Sequence, residues 1–160
     1  MPALTITPYA PAHTERVVEL SLVAWAPVFA SFEAVLGEDL YRRVHPDWRR
    51  DQAESVRAAL DSNETWVAVV DGEAAGFVNV VFDAAEPSAE IYMIAVDPRW
   101  QRQGIASALT EFALAEMRAR SVTLAVVATG GDPGHAPARA TYERAGFTGV
   151  PQVWYARRLD

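Results

Sequence analysis

The stretch covering residues 90–108, EIYMIAVDPRWQRQGIASA, leaves the chain few choices of local structure. Its apolar run, 91–96, has the length of a strand and breaks at Asp97-Pro98, because proline brings no N–H to a ladder and fixes φ. A polar loop rich in side-chain donors follows, 99–103. Gly104 then opens a segment in which Ile105, Ala108, Leu109, Phe112 and Ala115 recur with helical spacing. A helix that begins this way leaves its first N–H groups unpaired at the positive end of its dipole. An anion fits there: Gly104 lets a phosphate approach the backbone, Ala106 is too small to obstruct it, and Arg102 offers a charge-assisted contact.

Other phosphate motifs are missing. No GxxxxGK[ST] stretch occurs, and the loop has one glycine where a dinucleotide fingerprint needs three. The run Gln101-Arg102-Gln103-Gly104-Ile105-Ala106 instead resembles the Q/R-x-x-G-x-G/A pattern of the GCN5-related N-acetyltransferases, and the preceding MIAVDP is similar to that family's fourth strand. Further on, PARATYERAGF, residues 137–147, resembles the family's last helix and the start of the strand after it.

The resemblance implies an α/β acyl-CoA N-acyltransferase fold: a mixed, mostly antiparallel sheet flanked by helices and split between its fourth and fifth strands. It implies acetyl-CoA as cosubstrate and a primary amine, small molecule or peptide, as acceptor, acylated by direct attack in a ternary complex. By the same resemblance Gln101, Arg102, Gln103, Gly104, Ile105 and Ala106 hold the CoA pyrophosphate. Ile94 and Val96 pair with the pantetheine arm, and the Ile94 N–H polarises the carbonyl. Tyr142 takes the general-acid position beside the leaving sulfur. The chemistry suits it, since a thiol ionises near 8.5 and a phenol near 10. Glu90 holds the place of a carboxylate that receives the amine's proton, directly or through water. Strand alternation puts Glu90, Tyr92 and Ile94 on one face and Ile91, Met93 and Ala95 on the other, so that Tyr92 joins Glu90 in the cleft. His135 departs from the family, standing where many members carry an asparagine against the pantetheine arm; an imidazole can make that bond or act as a base. Trp25, Phe29 and Phe32 lie where such proteins cover the acceptor side. The same aromatic density, with Tyr41, His45 and Trp48, also suits plain core packing. His13 and His45 are read as unrelated to the site.

Taken in order, 4–7 alternate as a short first strand. Residues 13–26 form a helix that Pro27 is expected to break or kink before a second piece through Leu36, with Gly37 as its cap. A polar helix spans 47–60. Strands follow at 65–70 and 75–82 around the Asp71-Gly72 turn, then at 89–96. After the helix from Gly104 to near Arg120 comes a strand at 122–129, parallel to its predecessor. A loop at 130–134, a helix from His135 to Gly146 and a final strand at 153–159 complete the chain.

A chain of 160 residues with 51% apolar content is expected to form one domain over 1–160. The net charge of −7 argues against a nucleic-acid partner and favours a cationic acceptor. Without cysteine there is no thiolate metal site and no acyl-enzyme thioester, and three scattered histidines make no metal site. No apolar run approaches the roughly 18 residues of a membrane span, and the N-terminus lacks signal-peptide character. The expected location is cytoplasmic, and a homodimer is common among proteins of this resemblance. A non-catalytic acyl-CoA binding or sensing module is the main alternative; an interaction protein keeping only the fold is a further one.

Overall fold

The computed structural model describes residues 3–160; Met1 and Pro2 lie outside it. The elements are β1 (Leu4–Pro8), α1 (Thr14–Leu36), α2 (Glu38–Val44), α3 (Trp48–Ser62), β2 (Glu64–Val70), β3 (Glu73–Phe82), β4 (Ser88–Val96), α4 (Ile105–Ala119), β5 (Leu124–Val127) and α5 (Ala136–Arg144). The sheet has the order β1-β2-β3-β4-β5, antiparallel except for the β4–β5 pair, which is parallel. This is the mixed, mostly antiparallel sheet flanked by helices that the sequence leads one to expect.

Two apolar layers hold it. On one face Val17 and Leu20 of α1 and Val56 and Leu60 of α3 pack on Val67, Phe77 and Ala95. On the other, Ile105, Leu109, Ala113 and Met117 of α4 cover Val78, Val80, Ile91 and Val96. Gly76 lets α4 come close: a Cβ there would stand 2.8 Å from the Ala95 carbonyl and 3.3 Å from Leu109. Buried Asn79 closes the opposite layer, donating to the Ala59 carbonyl at 3.0 Å and to Thr65 Oγ1 at 2.7 Å.

β4 departs from simple alternation. Asn79 pairs with Met93 and Val80 with Ile91, so Tyr92 is an extra residue, a bulge. The bulge corrects the expected faces. Ile94 and Val96 join Ile91 on the α4 side, whereas Met93 and Ala95 pack toward α1. β5 is shorter than its apolar run, and it pairs with β4 only from Ser88↔Leu124 to Ile91↔Val127. Beyond that point the two strands part. The second half of β4 therefore has one edge free beside β5.

Four other expectations need correcting. Pro27 does not divide the first helix, since α1 is continuous through it; Pro27 and Val23, whose carbonyl loses its partner, are both exposed, so water can serve that carbonyl. A short helix, α2, follows Gly37, where no helix was expected. No strand forms at 153–159. Pro151 interrupts the segment, and its far end is drawn to α2 by Arg43–Asp160 at 2.6 Å and Arg158–Asp39 at 3.8 Å. Finally, among the described residues one helical stretch, Pro11–Leu36, is long and apolar enough by composition to cross a membrane, with an 18-residue window of mean hydropathy 1.5. Its Val17, Leu20 and Val28 are buried, so that apolar character includes a core face.

Past β4 the chain is anchored by Asp97. Its carboxylate is buried, accepting from the Arg99 amide at 2.8 Å, from the Arg99 guanidinium at 3.0 Å and from Arg16 of α1. Burial works against this charge, but the bonds from Arg99 and Arg16 outweigh it and hold its pKa at about 2. A carboxyl depressed from its usual value stabilises the fold above pH ~4, and that contribution, about 2 kcal/mol, is lost as pH falls toward 2. Asp97→Asn is expected to lower the unfolding free energy at pH 7 by about that amount and to flatten its decline between pH 4 and 2. Denaturant titrations across that range check this; an unchanged acid slope would refute it.

Candidate cofactor and active site

Gln101 donates from Nε2 to the Val96 carbonyl at 2.9 Å, so its side chain fastens the loop to the end of β4 and is not turned toward a ligand. Arg102 and Gly104 both adopt left-handed backbone, φ 62° and 82°. The first bond of α4 runs from the Ala108 N–H to the Gly104 carbonyl at 2.9 Å. Among the described residues, the amides of Gln103 to Ser107 meet no acceptor, and a Cβ on Gly104 would meet nothing within 4 Å. Unpaired donors before open space fit a pyrophosphate. Arg102 is exposed and has no ion pair among the described residues, free to join it.

The free edge of β4 supplies the next group. Asp97 donates its N–H to the Ala75 carbonyl of β3 at 2.8 Å, and backbone direction alternates along a strand. Ile94 and Val96 therefore turn their polar groups away from β3, into the gap beside β5. The Val96 carbonyl is taken by Gln101, which leaves its N–H; Ile94 keeps both groups for a ligand.

Tyr142 is buried on α5, its ring edge-on to Phe147 with centroids 6.0 Å apart. Burial pushes its pKa up to about 12. Its hydroxyl has no hydrogen-bond partner among the described residues, so it holds its proton and is free to donate it. Glu90 is half-buried between Val81 and Val126, and no described residue bonds or pairs with its carboxylate. Tyr92, on the bulge, is half exposed.

The aromatic segment divides. Trp25 packs edge-on against core Phe77 at 6.3 Å. Phe29 stacks on Trp48 at 4.3 Å, and Phe32 stacks on His45 at 5.5 Å and lies 5.6 Å from His135. Phe32 thus lies beside His135, whereas Trp25, partly buried, packs against the core. His45, expected to be unrelated, is part of this wall; burial lowers its pKa, opposed by Asp51.

Ser31 and Asp132 were missed by sequence reasoning. Asp132 accepts from Ser31 Oγ at 2.8 Å and bonds His135 Nδ1, while the Gly134 N–H donates to Ser31 Oγ at 3.0 Å. Burial works against the Asp132 charge, but His135 and Ser31 outweigh it and lower its pKa. The cluster needs its glycines: a Cβ on Gly130 would fall 2.3 Å from Asp132 Oδ1 and 2.4 Å from His135 Nδ1, and one on Gly134 2.7 Å from Ser31 Cβ. In the sequence this stretch signals only a loop, and Ser31 lies 101 residues from Asp132.

The family model for the acetyltransferase (GNAT) family matches residues 30–147. The chain belongs to that family. A mycothiol acetyltransferase of Beutenbergia cavernae is 36% identical over 114 residues, 66% of this chain and 37% of that protein. The chain thus spans well under half the length of this relative. A GNAT-family putative acetyltransferase from Desulfovibrio desulfuricans shares the fold with a TM-score of 0.69 at 23% identity, over 92% of this chain and 87% of that one. The aminoglycoside acetyltransferase AAC(6')-Iy, solved with a bisubstrate analogue of CoA, does so with a TM-score of 0.65 at 18% identity, over 99% of both chains. Within this GNAT chain the 130–135 turn is built around one side-chain cluster. Gly130→Ala is expected to lower the melting temperature by several degrees, from about 1–3 kcal/mol of overpacking. Gly131→Ala, whose Cβ would meet only the Gln152 carbonyl at 3.8 Å, should leave it nearly unchanged. Equal thermal shifts for the two would show the cluster to be loose.

Proposed function

We propose that this chain transfers an acetyl group from acetyl-CoA to a primary amine, of a small molecule or a peptide, by direct attack in a ternary complex. The carrying observation is the free edge of β4 leading into a loop and helix start at which the amides of Gln103 to Ser107 are unpaired among the described residues. Gln103 to Ser107 present those amides to the pyrophosphate, with Arg102 beside them. Ile94 offers its N–H and carbonyl to the pantetheine arm or to the reacting carbonyl. Acetyl-CoA supplies the activated acyl group and a thiolate leaving group. The GNAT family model and the likeness to structures solved with CoA-type ligands support this reading.

Tyr142 acts on the departing sulfur. A phenol near 12 facing a thiol near 8.5 donates a strong hydrogen bond, yet full proton transfer is uphill by about 5 kcal/mol. The hydroxyl therefore stabilises the developing thiolate without giving up its proton for long. Glu90 and His135 are the two groups open to the amine's proton.

Isothermal titration with acetyl-CoA, CoA and ATP, followed by thiol release on a panel of amines, tests the reading. Binding of both CoA compounds but not ATP, with release on at least one amine, is expected; binding without release on any amine would instead mark a sensing module. Gly104→Val should raise the acetyl-CoA Kd tenfold or more, by strain at a left-handed position and by filling the open space. Retained affinity in a folded variant would refute the loop's role. Tyr142→Phe should lower kcat about a hundredfold with Kd for acetyl-CoA nearly constant, and an unchanged kcat would remove Tyr142 from the reaction.

A further inference from the structure

The geometry points to His135, held by Asp132, as the group that takes the proton from the attacking amine; this rests on the acetyltransferase reading above. Asp132 accepts from Nδ1, so the imidazole is held as the tautomer whose lone pair is on Nε2. Nε2 meets no partner among the described residues. The carboxylate is itself held by Ser31 and the Gly134 N–H, and Arg139 of α5 locks the turn by donating to the carbonyls of Gly130 at 2.6 Å and Asp132 at 2.8 Å. A base fixed by a carboxylate that is fixed in turn is what proton transfer requires.

Its place suits the role. His135 caps α5 seven residues before Tyr142, two turns away on the same helix face, and helical side chains lean toward the N-terminus. The tyrosine side chain therefore leans toward the end of the helix that His135 begins. Phe32 covers His135 from α1, and the charged or titratable groups around it are Asp132 on its own turn, Arg139 from α5 and His45 beyond Phe32. Glu90, by contrast, has nothing to hold its carboxylate. In the step itself the amine nitrogen forms the C–N bond as the C–S bond breaks. The amine proton passes to Nε2, and Tyr142 stabilises the thiolate.

The test uses the full chain, acetyl-CoA, and a panel of a polyamine, an aminosugar and a short peptide with a free N-terminus. With the accepted amine saturating, kcat of the wild type should fall on the acid side as one imidazole protonates. His135→Gln should lower kcat about a hundredfold, remove that limb and leave the acetyl-CoA Kd within about twofold. Asp132→Asn should lower kcat about tenfold with the acetyl-CoA Kd unchanged, because the ring loses the carboxylate that fixes its tautomer and orientation. Added imidazole should restore part of the activity of His135→Ala, which a merely structural histidine would not allow. A limb that survives in His135→Gln and disappears in Glu90→Gln would overturn the assignment in favour of Glu90. A raised acetyl-CoA Kd with kcat intact in His135→Gln would overturn it in favour of a cofactor contact. If the wild type neither binds acetyl-CoA nor releases thiol, the acetyltransferase reading itself fails and takes this assignment with it.

Discussion

The buried carboxylate of Asp97 sets the geometry on which the site depends. A charge removed from water must be met by charge and N–H groups from every side, and this one draws Arg16 from α1 and Arg99 from the following turn. Arg99 continues to Glu73 at the start of β3, at 2.6 Å. The first helix, the β2–β3 hairpin and the end of β4 thus meet at one point. Because the Asp97 N–H is committed to β3, Ile94 must present its polar groups to the opposite side. The same carboxylate caps the turn that leads to Gly104. One residue therefore fixes, through its backbone N–H, which way Ile94 faces and, through its carboxylate, where the loop begins.

Local chemistry made part of this legible. The proline after Asp97, the single glycine before an amphipathic run, and Pro137 and Gly146 bracketing α5 are signals that a strand end or a helix end writes into adjacent residues. The start of α4 with its unpaired amides and the ends of α5 were accordingly legible, and so was the sheet class, whereas Tyr142 was singled out by resemblance alone. Features set by distant partners were not. The Tyr92 bulge depends on register against β3, and a run of alternating apolar residues looks the same with or without it. One extra residue moved Ile94 to the α4 face and Met93 to the α1 face. The tail likewise reads as a strand by composition, but its ion pairs with α2 hold its end elsewhere.

The Ser31–Asp132–His135 cluster shows the same limit at the site itself. Ser31 and Asp132 are unremarkable in sequence, a serine in an apolar helix and an aspartate before a proline, and only His135 stands out there. Their meaning comes from contact, and the glycines at 130 and 134 are required only because those side chains fill the space a Cβ would take. A glycine-rich loop is usually a statement about backbone freedom. Here two of its glycines are statements about packing.

These two polar clusters sit on the same helix. Arg16 near the start of α1 reaches Asp97 at the cofactor loop, and Ser31 toward its end reaches Asp132 at the head of α5. Fifteen residues of unbroken helix separate them, about 22 Å at 1.5 Å per residue. α1 therefore acts as a strut that fixes the span between the loop with the unpaired amides and the helix that begins at His135 and carries Tyr142. A break at Pro27, which lies between the two anchors, would uncouple them. Continuity through that proline is obtained by placing it, and the carbonyl it leaves unbonded, on the solvent side while buried Asp97 holds one end and partly buried Asp132 the other. The helix stays whole because its two anchors are tertiary, and the site keeps its dimensions because the helix stays whole.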